Sequence, residues 1–563
     1  MHEYNTLLHW FEHWQTSKPD ATYLTQPCPD GTVIDYSWRE VGDQARRMAA
    51  HLQSLNLPGH SKVAILGKNT AHWIIADLAI WMAGHVSVPL YATASVETTA
   101  YVLEHAQARL LFVGPLEGGE QAWQALSHGI PADLPVISLP LSACQRGEQW
   151  DSVIARNAPS THCVMPEPHG LATIFYTSGS TGRPKGVMHS FGTMCRVAQI
   201  NAGAIYRGGH GPQAEERLLS YLPLAHTAER QGVESASLRY GMQVFFNHSL
   251  QTFSADLRRA RPTMFLSVPR LWVKFYQSIN AQISPQVQAE AFADPARATA
   301  MKRKILAALG LDQVHTALTG AAALPAPVIH WYRQLGLELL DGYGMSENFA
   351  CAHFSRAGSV RVGYVGTCLP QVQCRIAQSG EILLKSPGQM LGYYRQPQLT
   401  RESYTADGFF KTGDRGEIDG QGRLRITGRL KELFKTSKGK YVAPMPIEAR
   451  LGGHPSIAQV CVTGAGLAQP LALITLSEEL RPAPESAQQL ELETQLEGLL
   501  TQVNEQLEVQ EHLACLIVVK DLWTVDNGLL TPTLKICRTP IEQRYAGRIE
   551  AWFASGCSVI FET

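Results

Sequence analysis

Through roughly the first 428 positions, short β-branched runs alternate with stretches of helical periodicity. "KVAIL" (Lys62–Leu66) precedes an apolar stretch whose repeat predicts a helix over Trp73–Trp81. "ARLLFVG" follows a helical Tyr101–His105, and "ATIFY" ends at Tyr176. Such alternation predicts layered α/β structure. The most apolar long stretch, His72 to Tyr91, is interrupted by Asp77 and His85, so it reads as a buried helix running into a strand rather than a membrane span.

Near Asp414 the texture changes. "GEIDGQGRLRITGR" alternates polar and apolar residues around an Asp-Gly-Gln-Gly turn, which predicts a hairpin. Beyond it, "LKELFKTSKGKYVAP" sets four lysines in a Gly-punctuated connection. "QVCVTGAG", "LALITLS" and "LACLIVVK" read as strands, and Leu492, Leu496, Leu499, Leu500, Val503 and Leu507 fall on one helical face. A small α+β domain with its own core is therefore expected at the C-terminal end. The expected division is 1–428, a hinge at 429–431, and 432–563.

With 563 residues, more than one domain is expected. Lys plus Arg (48) nearly cancels Asp plus Glu (49), so no basic stripe marks a nucleic-acid partner. Eleven scattered cysteines without a CxxC pair suit a reducing compartment, where they act mostly as small hydrophobes. The opening "MHEYNTLLHWFEHW" has no basic segment followed by an apolar one, so no signal peptide is expected and the cytoplasm is the expected location.

One segment resists a packing explanation. "FYTSGSTGRPKG" (Phe175–Gly186) follows an apolar run with three glycines, four hydroxyls and two cations. Glycines let backbone N–H groups approach an anion, and small hydroxyls donate without bulk, so the segment suits phosphate oxygens. It also suits an ordinary surface loop. It is not a Walker A loop, because Pro184 stands where that motif needs Gly before Lys.

Further segments follow in order: "YLPLAHTAER" (Tyr221–Arg230), "DGYGMSEN" (Asp341–Asn348), "FKTGDRGEID" (Phe410–Asp419), "GRLKELFK" (Gly428–Lys435) and "LTPTLKICR" (Leu530–Arg538). With the Gly/Ser/Thr loop, they resemble the adenylate-forming superfamily of acyl-CoA synthetases, firefly luciferases and peptide-synthetase adenylation domains, from about residue 30 to 545. "PLAHTAER", "SVPRLW" (Ser267–Trp272), "KELFKTSKGKYVAP" and "LTPTLK" are most similar to the long-chain fatty acid–CoA ligases. The resemblance implies a large multi-layer αβαβα N-terminal domain joined by a hinge to a small α+β C-terminal domain.

It also implies roles. Thr177, Ser178, Gly179, Ser180, Thr181 and Gly182 match the loop that holds the β- and γ-phosphates of ATP, with Lys185 as an added cation. Glu347, with the Thr177 hydroxyl nearby, matches the Mg2+ ligand; Ser346 stands where relatives usually have Thr. Tyr343 would flank the adenine, with Gly342 and Gly344 permitting close approach; its alternative is a core aromatic. Asp414 would accept both ribose hydroxyls, assisted by Arg429; its alternative is a turn cap. His226 resembles a residue of the acyl channel, with a satisfied core histidine as the rival. Lys535 matches the catalytic lysine that reaches from the small domain to the α-phosphate and the attacking carboxylate. Lys431 matches the hinge, Lys435 the adjoining nucleotide-binding stretch, and Gly439 the tight position beside the pantetheine arm of CoA.

The implied reaction joins a fatty carboxylate to the α-phosphorus of Mg-ATP, giving acyl-AMP and pyrophosphate, and then transfers the acyl group to CoA. Three alanines in "TGAAALPAP" (Thr319–Pro327) are expected either to line an acyl tunnel or to start a close-packed helix. The rivals are an acyl-AMP ligase that loads an acyl carrier protein, a β-lactone synthetase or aryl acid–CoA ligase, and a non-catalytic nucleotide- or lipid-binding homologue. Peripheral contact with a membrane is compatible with a fatty substrate. The sequence carries no signal for oligomeric state.

Overall fold

The computed structural model describes residues 5–177, 183–205, 216–481, 486–525, 527–531 and 535–562. Among them the predicted alternation is present: strand Lys62–Leu66, helix Ala71–Met82, strand Val86–Leu90, helix Val96–Ala106, strand Ala108–Val113 and strand Leu171–Thr177. Every residue of Ala71–Met82 is buried, Asp77 included, as a helix enclosed on all sides must be.

These strands belong to an eight-stranded sheet. From Leu171–Thr177 outward through Val86–Leu90, Lys62–Leu66 and Ala108–Val113 it is parallel. On the other side Lys185–Ser190 and Gly392–Tyr393 add antiparallel strands. A five-stranded sheet runs Met264–Ser267, Thr316–Gly320, Leu339–Tyr343, His353–Phe354 and Thr367–Cys368, its first three strands parallel. The expected hairpin pairs Phe410–Ile418 with Leu424–Arg429 inside a four-stranded antiparallel sheet.

After a short 3-10 turn at Leu430–Glu432, the chain builds a further sheet from Ile457–Thr463, Leu471–Leu476, Leu516–Val518 and Val559–Phe561. Helix Ser486–Asn504 packs on it through Leu492, Leu496, Leu499, Leu500 and Val503. Leu507 lies past the helix end but joins the same cluster. Among the described residues, buried apolar clusters lie either wholly before Leu430 or wholly after it, so each side has its own core. No helix among the described residues is long and apolar enough to cross a membrane.

Three ionisable side chains sit at the centre of the large core. Arg230, fully buried in the π-helical turn Arg230–Ser235, meets Asp77 at 2.6 Å and also pairs with Glu234. Its guanidinium lies 4.8 Å from the Trp73 ring centre and 5.6 Å from that of Phe175. Burial holds both carboxyl groups above their ordinary range, Glu234 far above, against the pull of the Arg230 charge. Removing the cation leaves Asp77 buried without a counter-charge. Arg230→Met is therefore expected to destabilise the large domain by about 3–5 kcal/mol. Thermal melting checks this: an unmoved midpoint for Arg230→Met would contradict the assignment.

Candidate active site

Strands Leu171–Thr177, Thr316–Gly320 and Leu339–Tyr343 all deliver their carboxyl ends to one cleft of about 3280 Å³, the usual location of ligands in α/β sheets. The small domain covers the opposite side and contributes Lys535.

At one end lies Asp414. The hairpin register places it directly opposite Arg429, whose Nε is 3.0 Å from Oδ1. The Tyr343 hydroxyl donates to Oδ2 at 2.6 Å, and the Asp414 N–H donates to Thr412 Oγ1 at 3.0 Å. This buried carboxylate is thus an acceptor fixed from two neighbouring strands, with its aromatic neighbour half-buried at the cleft wall. Gly342 and Gly344 flank that ring, but the constraint visible at them comes from the chain itself. A Cβ at Gly342 would lie 2.5 Å from the Phe354 ring, and one at Gly344 would lie 2.6 Å from the Ala350 backbone. Asp341, immediately before, is pushed up to about 8 by burial.

Glu347 lines the cleft from the turn Ser346–Asn348. Tyr393 donates to its Oε1 at 2.8 Å, and the Lys185 ammonium stands 5.5 Å from the Tyr393 ring centre. Thr177, the last residue of its strand, pairs with Lys185 and faces the same cleft. The turn is held from behind by His189, fully buried, whose Nε2–H donates to the Ser346 carbonyl at 2.7 Å. Burial lowers the His189 ring to about 4, so it is neutral at pH 7. The predicted loop residues Ser178, Gly179, Ser180, Thr181 and Gly182 lie outside the described residues.

His226 is both of the things the sequence allowed. Its Nδ1 accepts the Ala228 N–H at 3.1 Å and caps the turn Thr227–Glu229, while the half-buried ring lines the cleft. Burial, and then the charge of Lys535, lower it to about 4. Asn69 and Glu229 hold this segment. Asn69 accepts the Leu224 N–H at 3.0 Å and donates to the Leu222 carbonyl at 2.6 Å, while Glu229 accepts from Ser220 and the Tyr221 N–H.

Lys535 lines the same cleft as Arg429, Asp414, Glu432 and His226. Its side chain reaches the water of the cleft yet is ringed by protein. That enclosure, and then Arg429, lower its ammonium from the usual lysine value, against the pull of Asp414 and Glu432. Lys431 also lines the cleft. Lys435 and Gly439 do not: they belong to the two-stranded ribbon Phe434–Lys435/Tyr441–Val442, where Lys435 lies over Tyr441 and Gly439 takes the φ of +75° that the turn needs. Ala321, Ala322 and Ala323 are exposed to the cleft ahead of helix Ala326–Leu335 rather than packed into its start.

Residues 11–394 match the AMP-binding enzyme family, and residues 432–556 match the AMP-binding enzyme C-terminal domain. The chain belongs to the AMP-binding enzymes. It is 31% identical to the long-chain-fatty-acid–CoA ligase FadD15 of Mycobacterium bovis, over 96% of each chain. It is 28% identical to human long-chain-fatty-acid–CoA ligase 6, over 92% of this chain and 82% of that one. Its fold matches the A domain of a carboxylic acid reductase from Segniliparus rugosus, solved with AMP and a carboxylic acid (TM-score 0.80, 22% identity, 98% and 94% coverage). It also matches the anthranilate CoA ligase AuaEII, solved with anthranoyl-AMP (TM-score 0.75, 19% identity, 97% and 98% coverage). It is an adenylate-forming, acyl-activating enzyme that binds an adenine nucleotide.

In this AMP-binding enzyme, Tyr393, His189, Asn69 and Glu229 support the site and escaped the sequence reading. Tyr393 reaches Glu347 only because strand Gly392–Tyr393 pairs with Val187–Met188, a contact between distant segments. One consequence is testable. A histidine whose folded value lies near 4, against an ordinary 6.5, contributes stability that is complete above pH 6.5 and lost as pH falls through 4. For His189 that part amounts to about 3 kcal/mol. His189→Gln keeps a donor for Ser346, so its acid-unfolding midpoint, followed by circular dichroism, should move to lower pH. An unmoved midpoint would contradict the assignment.

Proposed function

We propose that this enzyme activates a long-chain fatty acid with Mg-ATP to acyl-AMP and pyrophosphate, then transfers the acyl group to CoA with release of AMP. The observation that carries the reading is that Lys535 of the small domain lines the same cleft as Asp414, Arg429 and His226. Full-length similarity to long-chain ligases, and the cleft wall of three alanines near Met264, Leu266 and Leu318, support the acyl class.

In this reading Asp414 holds the ribose hydroxyls and Tyr343 flanks the adenine. Lys535 lies between the α-phosphate and the incoming carboxylate, two anions that repel each other in water. A fixed cation there opposes the repulsion and stabilises charge that develops on the pentavalent phosphorus. No protein nucleophile takes part; positioning and electrostatics carry the step. His226, neutral at pH 7, borders the acyl end without adding a charge that would draw the carboxylate away. Glu347 and Thr177 are hard oxygen donors. Among the described residues no cluster of three ligating side chains forms a cage, which fits Mg2+ shared between one carboxylate and the phosphates. When bound, the ion offsets triphosphate charge.

The second step needs only alignment of the CoA thiolate with the mixed anhydride and exclusion of water. Lys435 and Gly439 stand away from the cleft while Lys535 occupies it. That supports rotation of the small domain about 429–431, with Lys431 at the pivot, to exchange the two faces.

Lys535→Ala should lower pyrophosphate release from ATP and fatty acid by about 10²-fold or more. Near-normal release would refute its role. Lys431→Pro should spare one half-reaction, measured as pyrophosphate without CoA and as thioester from supplied acyl-AMP; equal rates for both would refute the pivot. Tyr393→Phe should raise the Mg2+ needed for half-maximal rate about tenfold, as loss of a partner behind a metal ligand does. A panel of acids assayed for pyrophosphate, then for AMP and thioester with and without CoA, tests the whole reading. Pyrophosphate without CoA thioester would point to a carrier-protein acceptor.

A further inference from the structure

Of the eleven cysteines, Cys368 and Cys374 do not stand alone. The strand Thr367–Cys368 turns back into the strand Gln373–Ile376 through Leu369–Val372. The Val372 N–H donates to the Leu369 carbonyl at 3.0 Å, with Pro370 next and Gln371 at a φ of +65°. That is a type II reversal. It turns the chain back so that the Cys374 side chain comes within hydrogen-bonding reach of Cys368. From the other side, His353 faces Cys368 in antiparallel register with Nε2 3.3 Å from Sγ.

We propose that Cys368 is a hydroperoxide-reactive thiolate and Cys374 its resolving thiol, the two closing to a disulfide that weakens ATP binding. Donation from Cys374, and then from His353, holds the Cys368 thiol well below the ordinary range, against burial. By contrast, burial pushes Cys195, Cys351 and Cys515 up to about 11. Cys368 and Cys374 are both half-buried, so a small peroxide reaches them.

The chemistry balances. The Cys368 thiolate attacks one oxygen of hydrogen peroxide and the O–O bond breaks. Hydroxide leaves and takes up the proton Cys368 had lost, becoming water. The sulfenic acid left on Cys368 is attacked by the Cys374 sulfur; the S–S bond forms, the S–O bond breaks, and a second water leaves with the Cys374 proton. Two thiols are oxidised and one peroxide is reduced.

The pair lies between the two elements that shape the nucleotide pocket. His353 pairs with Tyr343 in the sheet, and their ring centres are 6.1 Å apart. On the far side Thr367 bridges Arg423, and the Leu424 N–H donates to the Gly366 carbonyl at 2.9 Å, tying the strand to the hairpin of Asp414 and Arg429. Drawing Cys368 from His353 toward Cys374 therefore acts on the Tyr343–Asp414 contact.

Both cysteines fall in one tryptic peptide, Val362–Arg375. Treating the full chain with hydrogen peroxide should remove two hydrogens from that peptide by mass spectrometry, reversibly with dithiothreitol. Cys374→Ser should stop at a sulfenic acid trapped by dimedone at Cys368, and Cys368→Ser should leave that peptide unlabelled. Calorimetry with ATP should show affinity about fivefold weaker for the oxidised than for the reduced chain. A peptide that keeps its hydrogens, dimedone on Cys374 in Cys368→Ser, or unchanged ATP affinity after disulfide formation would each overturn the proposal.

Discussion

The rest of the structure is arranged around one electrostatic constraint: two cations, Lys535 and Arg429, share a protein-walled cleft with Asp414. Arg429 has its counter-ion at 3.0 Å, but Lys535 is held between partners of both signs, and its ammonium is destabilised by enclosure. An anion entering that space removes the penalty and gains the charge interaction in a medium less polar than bulk water. The lysine comes from one side of Leu430 and the carboxylate from the other, so on the proposed function nucleotide binding would act on both through the same charges.

Holding such a site open requires that the groups around it not compensate one another. The buried histidines do this by staying neutral. His189 spends its proton on the Ser346 carbonyl, and His226 spends a lone pair on the Ala228 N–H. Neither adds charge, yet each fixes a turn that carries a site residue. Deeper in the core, Arg230 is neutralised locally by Asp77 and Glu234, so its field does not compete with that of Lys535. Core and cleft thus treat cations in opposite ways: one is paired at once, the other is left for a ligand.

Much of this was legible in the sequence because it is local. Alternating runs mark the parallel strands, and the Asp-Gly-Gln-Gly turn marks the hairpin; the register that sets Asp414 opposite Arg429 comes from a bulge between Arg415 and Gly416 that no local pattern announces. The six ordered motifs name Glu347, Tyr343 and Lys535. What escaped depends on pairing between distant segments. Tyr393 lies 46 residues from Glu347, and Asn69 lies 155 from Leu224; neither neighbourhood has a pattern that announces its partner. Count and spacing of the cysteines likewise carry no sign of the turn at Pro370–Gln371 or of the register of His353, which bring Cys368 close to Cys374 and His353. Leu507 shows the smaller error of extending a periodicity past the end of its helix.

The account stands on a carboxyl oxygen of the acid becoming bonded to the α-phosphorus in this cleft. Labelling the fatty acid carboxylate with heavy oxygen and analysing the products by mass spectrometry tests that directly. The account predicts that the AMP released in the presence of CoA carries one heavy oxygen and the pyrophosphate none. AMP free of label, or label in the pyrophosphate, would mean that the carboxylate attacks elsewhere or not at all.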